Sequence, residues 1–289
     1  MGTLTLRLRT VGWAAILALL VGGSASVLWS GLLIANLHTS AAIPWSVAVM
    51  AVVLWLLWQY LSGRWAPKST ALARHTYLRA RLVPARVLGW SLLAGALALV
   101  ALVGLWIVLV ELTGVGGNPT IPAAATTPFL TLTLGLVMGS LVSSLTEEFA
   151  FRGYAQVALE RVFPGVAAVA ISSFFFMLWH GPTQGFEWSK LLFYFLVGVV
   201  FGTTALLTRS VLPAWPVHLA GDLTFFFLIW PYDAARRLVW RDGADVWFWI
   251  YVALAAIFTV LAILTFRRVA RVGQAESAAV RAEPRDAAE

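Results

Sequence analysis

Cysteine is absent from this chain of 289 residues, which excludes disulfide staples, thiolate metal sites and a cysteine nucleophile. Charge is also scarce: 11% of residues are charged, 61% are hydrophobic, and mean hydropathy is +0.86. A soluble core of this size would be far more polar. The sequence holds no internal repeat, no Gly-rich phosphate loop and no stretch with the composition of a soluble domain. Acids are outnumbered, 13 against 20 Lys and Arg, for a net charge of +7. That excess does not point to nucleic acid, because the basic residues cluster beside apolar runs, where membrane topology accounts for them. What remains is an all-α, polytopic integral membrane protein whose surroundings are the lipid bilayer.

Runs of about 20 apolar residues predict eight transmembrane helices, near 11–37, 43–61, 87–110, 128–160, 164–180, 191–208, 211–230 and 246–266. Residues 62–86 carry Arg64, Lys68, Arg74, Arg79, Arg81 and Arg86 with no acid, whereas 38–42 and 111–127 hold no Lys or Arg. The positive-inside rule then puts both termini and the 62–86 loop in the cytoplasm. Arg7 and Arg9 before the first span and Arg267, Arg268 and Arg271 after the last agree with this. The segment 231–245 falls outside despite Arg236, Arg237 and Arg241, with Asp233, Asp242 and Asp245 balancing them. Ser24-Ala25-Ser26 resembles a signal cleavage site, but the apolar stretch continues to Leu37, long enough for a span that is retained. Residues 1–271 are thus expected to form one helical membrane domain. The remainder, 272–289, rich in Ala, Glu and Arg with little to bury, is expected to be a disordered cytoplasmic tail. Most of the 15 Trp fall near span ends, as in an interfacial belt. Gly135/Gly139 and Gly198/Gly202, at four-residue spacing, predict close helix packing.

Against this apolar background six ionisable residues stand out: Glu147, Glu148 and Arg152 in one run, His180 in the next, and His218 with Asp222 in a third. Charges near a bilayer centre are costly, so they turn inward, pair, and carry function. If the helix from Pro128 continues through the Glu pair to Arg161, Glu147 lies about 21 Å from its inner end, at a depth His180 can share. Glu148 and Arg152 are four apart, acid first, the better order for an ion pair. His218 and Asp222 repeat that spacing, so the carboxylate can support the imidazole. Glu147 points about 100° away from Glu148, which leaves one carboxylate for structure and the other for chemistry. Singly, each residue has a plain structural use, but unpaired they would cost several kcal/mol each, and a common hydrated cavity is the cheaper arrangement. A carboxylate and two imidazoles around water suit amide hydrolysis: Glu147 takes a proton from a water also held by His180, and His218 with Asp222 stabilises the oxyanion.

These residues also form a pattern. Glu147-Glu148-Phe-Ala-Phe-Arg152 resembles E-E-x-x-x-R, Phe176-Met-Leu-Trp-His180 resembles F-x-x-x-H, and His218-Leu-Ala-Gly-Asp222 resembles H-x-x-x-(N/D). In that order, over about 128–230, they resemble the CAAX-processing and bacteriocin-immunity (CPBP, or Abi) family of intramembrane endopeptidases. The resemblance implies that Glu147 and His180 activate water, that His218 and Asp222 form the oxyanion site, and that Glu148 and Arg152 support them. It implies a membrane-associated peptide or protein substrate, either a prenylated CAAX protein or a bacterial peptide in processing or bacteriocin immunity. The pattern admits Asn or Asp at this position; an Asn would offer an amide donor, whereas Asp222 either donates when protonated or orients His218. Glu147, His180 and His218 could ligate zinc, but from three helices and without H-E-x-x-H spacing, so a metal-free glutamic mechanism without a cofactor is preferred.

Other readings account for fewer of these residues. A proton-coupled transporter would also use intramembrane Glu, His and Asp, but the halves show no repeat and no matching broken spans. A haem protein with His180 and His218 as axial ligands leaves Glu147, Glu148 and Arg152 unused. A silent immunity scaffold would tolerate loss of Glu147.

Overall fold

The computed structural model describes residues 3–118 and 126–282. Its long elements are helices α1 (Thr3–Ser40), α2 (Trp45–Leu61), α3 (Ala71–Leu78), α4 (Ala85–Thr113), α5 (Phe129–Leu159), α6 (Gly165–Gln184), α7 (Trp188–Thr208), α8 (Ala214–Thr224, continued by Phe225–Ile229) and α9 (Val246–Ala282). No strand occurs among the described residues. The protein is an all-α polytopic membrane protein.

Prolines set many of the boundaries. Pro44, Pro84, Pro128, Pro164 and Pro213 stand immediately before α2, α4, α5, α6 and α8. The residue before a proline is driven from the helical region, so a helix cannot extend backwards through it. At the far end of α4, Gly114 adopts the left-handed conformation at φ 73°, and its N–H donates to Val110 O at 2.7 Å, closing the helix in the usual glycine manner.

Each of the eight predicted runs contains a helix. Six helices (α1, α4, α5, α6, α7 and α9) are long and apolar enough to cross a membrane by length and composition, and α2, with 17 residues, is a shorter apolar helix. The helix predicted over 211–230 is realised as α8 and its widened continuation. The last helix runs further than the hydropathy suggests: residues 272–282 extend α9, where a disordered tail was expected. The run AESAAVRA is composed largely of good helix formers and needs no buried face to continue a helix already nucleated. Residues 283–289 of the expected tail lie outside the described residues.

Helix α9 packs along α4, α6 along α7, and α1 against α5. The glycine pair of α7 explains one of these contacts. A Cβ on Gly198 would come within 2.8 Å of Ser173 Cβ, and one on Gly202 within 3.0 Å of Val169 Cγ1, so α6 and α7 approach closely because both positions lack a side chain. Gly135 and Gly139 in α5 are likewise buried.

Loop contacts sort the connections into two ends. At one, Glu160 bridges Arg79 and Arg209, the Arg209 Nη1 to Glu160 Oε2 distance being 2.9 Å, while Val211 N–H donates to Arg79 O and Ser210 Oγ to Arg81 O. Arg79 and Arg209 both sit at positive φ, 56° and 53°, positions where glycine is usual. Partial burial, with the nearby guanidinia of Arg79 and Arg209, lowers the pKa of Arg81 from its ordinary value. At the other end, Asp233 accepts from Trp106 Nε1 and Gly117 N, and Asn118 N–H donates to Gln184 Oε1. Here each arginine of 231–245 has its own acid: Arg236 with Asp233 at 3.0 Å, Arg237 with Asp245 at 3.3 Å, and Arg241 with Asp242 at 3.2 Å.

Candidate active site

Helix α5 does not stop at the glutamate pair. It continues to Leu159, but its hydrogen bonding widens to the π pattern over Glu148–Ala155. Such widened turns leave carbonyls free for other donors and often mark functional positions. Here Phe151 O accepts from Ser172 Oγ of α6 at 2.7 Å. All eight residues of the widened segment are buried, between α1, α6 and α7.

Glu147 closes the regular part of α5. One carboxylate oxygen, Oε1, accepts from Trp179 Nε1 at 3.1 Å. The other, Oε2, has no hydrogen-bond partner and faces two imidazoles, 3.9 Å from His180 Nε2 and 3.6 Å from His218 Nε2. His180 Nδ1 pairs with Phe176 O at 2.8 Å. A carbonyl can only accept, so the His180 proton is on Nδ1 and Nε2 is left with its lone pair toward Glu147. Two acceptors at 3.9 Å do not bond each other, yet a water between them could donate to both at ordinary hydrogen-bond lengths.

Glu148 takes the other direction that the helical angle predicts. Its Oε1 accepts from His218 Nδ1 at 2.9 Å and lies 3.6 Å from Arg152 Nη1. Glu148 therefore serves both Arg152 and His218, a wider role than the simple Glu148–Arg152 pair expected from spacing. With Nδ1 engaged, His218 turns Nε2 toward Glu147 and toward Asp222 Oδ1, 3.6 Å away in each case. The second oxygen of Asp222, Oδ2, accepts from Ser143 Oγ. Arg152 is almost fully enclosed, 1% exposed, with its guanidinium 4.1 Å from the Phe176 ring centre and Nη2 reaching Gly198 O at 3.4 Å. The Gly198 approach described above brings that carbonyl within reach.

Aromatic rings fix the imidazoles. His218 stacks on Phe201 with centroids 4.5 Å apart, and His180 on Tyr194 at 3.9 Å with a 15° interplanar angle. The motif phenylalanine, Phe176, contacts His180 at 4.5 Å and His218 at 6.0 Å between ring centres. The cluster is closely packed: the side chains of Glu148 and Arg152 are 0% and 1% exposed, whereas those of His180 and Asp222 keep 16% and 19%. The sequence predicts a common hydrated cavity; here the cluster is packed, and its partly exposed edge, the cleft, lies at His180 and Asp222. A separate groove of about 320 Å³, lined by Arg86, Gly89, Trp90 and Leu93 of α4, shares no residue with it.

All six residues singled out by sequence, Glu147, Glu148, Arg152, His180, His218 and Asp222, thus meet in one cluster from α5, α6 and α8. Three others went unnoticed. Trp179, inside the F-x-x-x-H motif, hydrogen-bonds Glu147. Ser143 lies one helical turn before Glu147, and that i, i+4 relation was a usable signal. Tyr194 carries no local signal, since its position depends on how α7 packs against α6. Glu147, His180 and His218, the residues that could ligate zinc, face one another here, Glu147 Oε2 lying 3.9 and 3.6 Å from the two Nε2 atoms.

Residues 128–224 match the family model for Rce1-like proteins, described as type II CAAX prenyl endopeptidase Rce1-like. The match spans the three motifs and is consistent with the CPBP resemblance. It supports an intramembrane CAAX endopeptidase in general terms, acting on a membrane-associated protein. No curated protein and no solved structure matches the chain.

Proposed function

We propose, from the type II CAAX prenyl endopeptidase match over residues 128–224, that the chain hydrolyses a peptide bond of a membrane-associated substrate with Glu147 as general base. The observation that carries this reading is the unpartnered Glu147 Oε2 facing His180 Nε2 at 3.9 Å. A water held there donates one proton to each, which turns an oxygen lone pair outward to a carbonyl carbon. Glu147 takes the proton as the C–O bond forms, and the carbonyl electrons move to the oxygen. His218, doubly protonated as an imidazolium with Nδ1–H on Glu148 Oε1, offers Nε2–H to that oxyanion and neutralises it. When the C–N bond breaks, the proton on Glu147 passes to the departing amine, leaving an acid and an amine as products.

Asp222 is the acceptor that orients His218. This role is supported by its two oxygens, one accepting from Ser143 Oγ and the other 3.6 Å from His218 Nε2, close enough for charge attraction. Glu148 steers the same ring from its opposite nitrogen, and Arg152 holds Glu148. A carboxylate hydrogen-bonded to the far side of an imidazole fixes its tautomer and orientation.

In this reading Glu147 and His180 activate the water without a metal, which is testable. In proteoliposomes with a farnesylated CAAX peptide, saturating chelator should leave cleavage unchanged, while His180→Ala should lower kcat by about 10²- to 10⁴-fold. Chelator inhibition reversed by zinc would refute the metal-free mechanism. Full activity of His180→Ala would refute the assignment of the water site. An unmodified peptide of the same sequence tests whether the prenyl group is required.

A further inference from the structure

Tyr194 of α7 is 6% exposed, and its hydroxyl is buried without a hydrogen-bond partner. An unsatisfied phenol is expensive to keep in a packed interior, and tyrosines so enclosed usually find a partner. This one is not in a remote corner. Its ring lies against His180 at 3.9 Å, and its oxygen is within electrostatic reach of the carboxylates of Asp222 and Glu147. On its other side, Phe193 meets it edge-on at 5.5 Å, so the ring is clamped beside His180.

A second donor to the substrate oxygen is still to be found among the described groups. Asp222 stands where the family pattern admits Asn, and both of its oxygens are directed at donors rather than at a substrate. The described groups around Glu147 then offer a developing oxyanion His218 Nε2–H, whereas an efficient oxyanion site commonly combines two donors. A phenol O–H is a donor throughout the physiological range.

We propose that the Tyr194 hydroxyl donates a hydrogen bond to the carbonyl oxygen of the scissile peptide, acting with His218 as the second oxyanion donor. This assignment rests on the hydrolytic reading above. Tyr194 forms no covalent bond and transfers no proton in the step: its O–H···O contact shortens as negative charge gathers on the substrate oxygen and relaxes when the C–N bond breaks.

The test is Tyr194→Phe, which keeps the ring stacked on His180 and removes the hydroxyl alone. With the farnesylated CAAX peptide in proteoliposomes, kcat should fall by about 10²-fold, as for loss of one oxyanion-hole donor, with KM unchanged and the melting temperature equal or higher, since an unpaired buried hydroxyl is removed. A kcat equal to that of the wild type, or a loss confined to KM, overturns the proposal and leaves the hydrolytic reading intact. Glu147→Gln measured alongside separates the two: if that variant keeps wild-type turnover, the hydrolytic reading fails and the Tyr194 assignment falls with it. Tyr194→Leu, which also removes the stack, should be at least as slow as Tyr194→Phe, and a Tyr194→Leu rate equal to that of the wild type would overturn the proposal.

Discussion

Glu147→Gln should reduce peptide cleavage by about 10²- to 10⁴-fold, the range expected when a general base is removed, with little change in expression or melting. Glutamine has the size of the residue it replaces, and its carbonyl can still accept the 3.1 Å hydrogen bond from Trp179 Nε1. It cannot take a proton from water. The substitution also leaves the Glu148–His218 and Glu148–Arg152 contacts untouched, so any loss belongs to the single oxygen that faces His180. Steady-state rates and thermal melts in one detergent would decide the matter. Wild-type turnover by Glu147→Gln would mean that the base is elsewhere, and a collapse of the melt would mean that Glu147 is structural.

Arg152→Ala should show the opposite pattern, a loss of stability of about 3–5 kcal/mol, the usual consequence of stranding one member of a buried pair. Glu148 is 0% exposed and has His218 Nδ1 as its other partner. Without the guanidinium its charge is poorly compensated, and the space between Phe176 and Phe201, which the guanidinium faces at 4.1 and 5.3 Å, is left underfilled. Any fall in activity should follow the fall in folded protein. The double variant Arg152→Met with Glu148→Gln, which removes both charges and keeps the volume, should recover much of the lost stability. Equal melting of Arg152→Ala and the wild type would show that the pair does not hold the helix in place.

The parts of this arrangement legible in the sequence are those encoded by local period. Apolar run length marks the helices because a bilayer demands it. Four-residue spacing places Glu148 beside Arg152 and His218 beside Asp222, and the angular step between neighbours separates Glu147 from Glu148. What was hidden depends on contacts between helices or on a change of the period itself. Hydropathy does not distinguish an i→i+4 from an i→i+5 ladder, so the widened segment Glu148–Ala155 could not be read from composition. Nothing local to Trp179 says that its Nε1 faces Glu147. Tyr194 reaches His180 through the tight α6–α7 seam that Gly198 and Gly202 permit, and a seam has no signature at the position of the residue that uses it. The extent of α9 was missed for the reverse reason, since helix propensity continues where the demand for burial ends.

The broadened turn of α5 behaves arithmetically like one surplus residue within an otherwise regular helix. The stretch that carries Glu147 and the stretch that ends at Glu160 are therefore out of phase by about 100° relative to an unbroken α-helix, and both are tied down, one to Trp179 and the other to Arg79 and Arg209. Point substitutions within Glu148–Ala155 can alter side chains but cannot remove that offset. Deleting one residue there can, and it would oblige α5 either to swing its carboxylates away from both imidazoles or to release its anchored end. Length is thus as tightly constrained as chemistry in this segment.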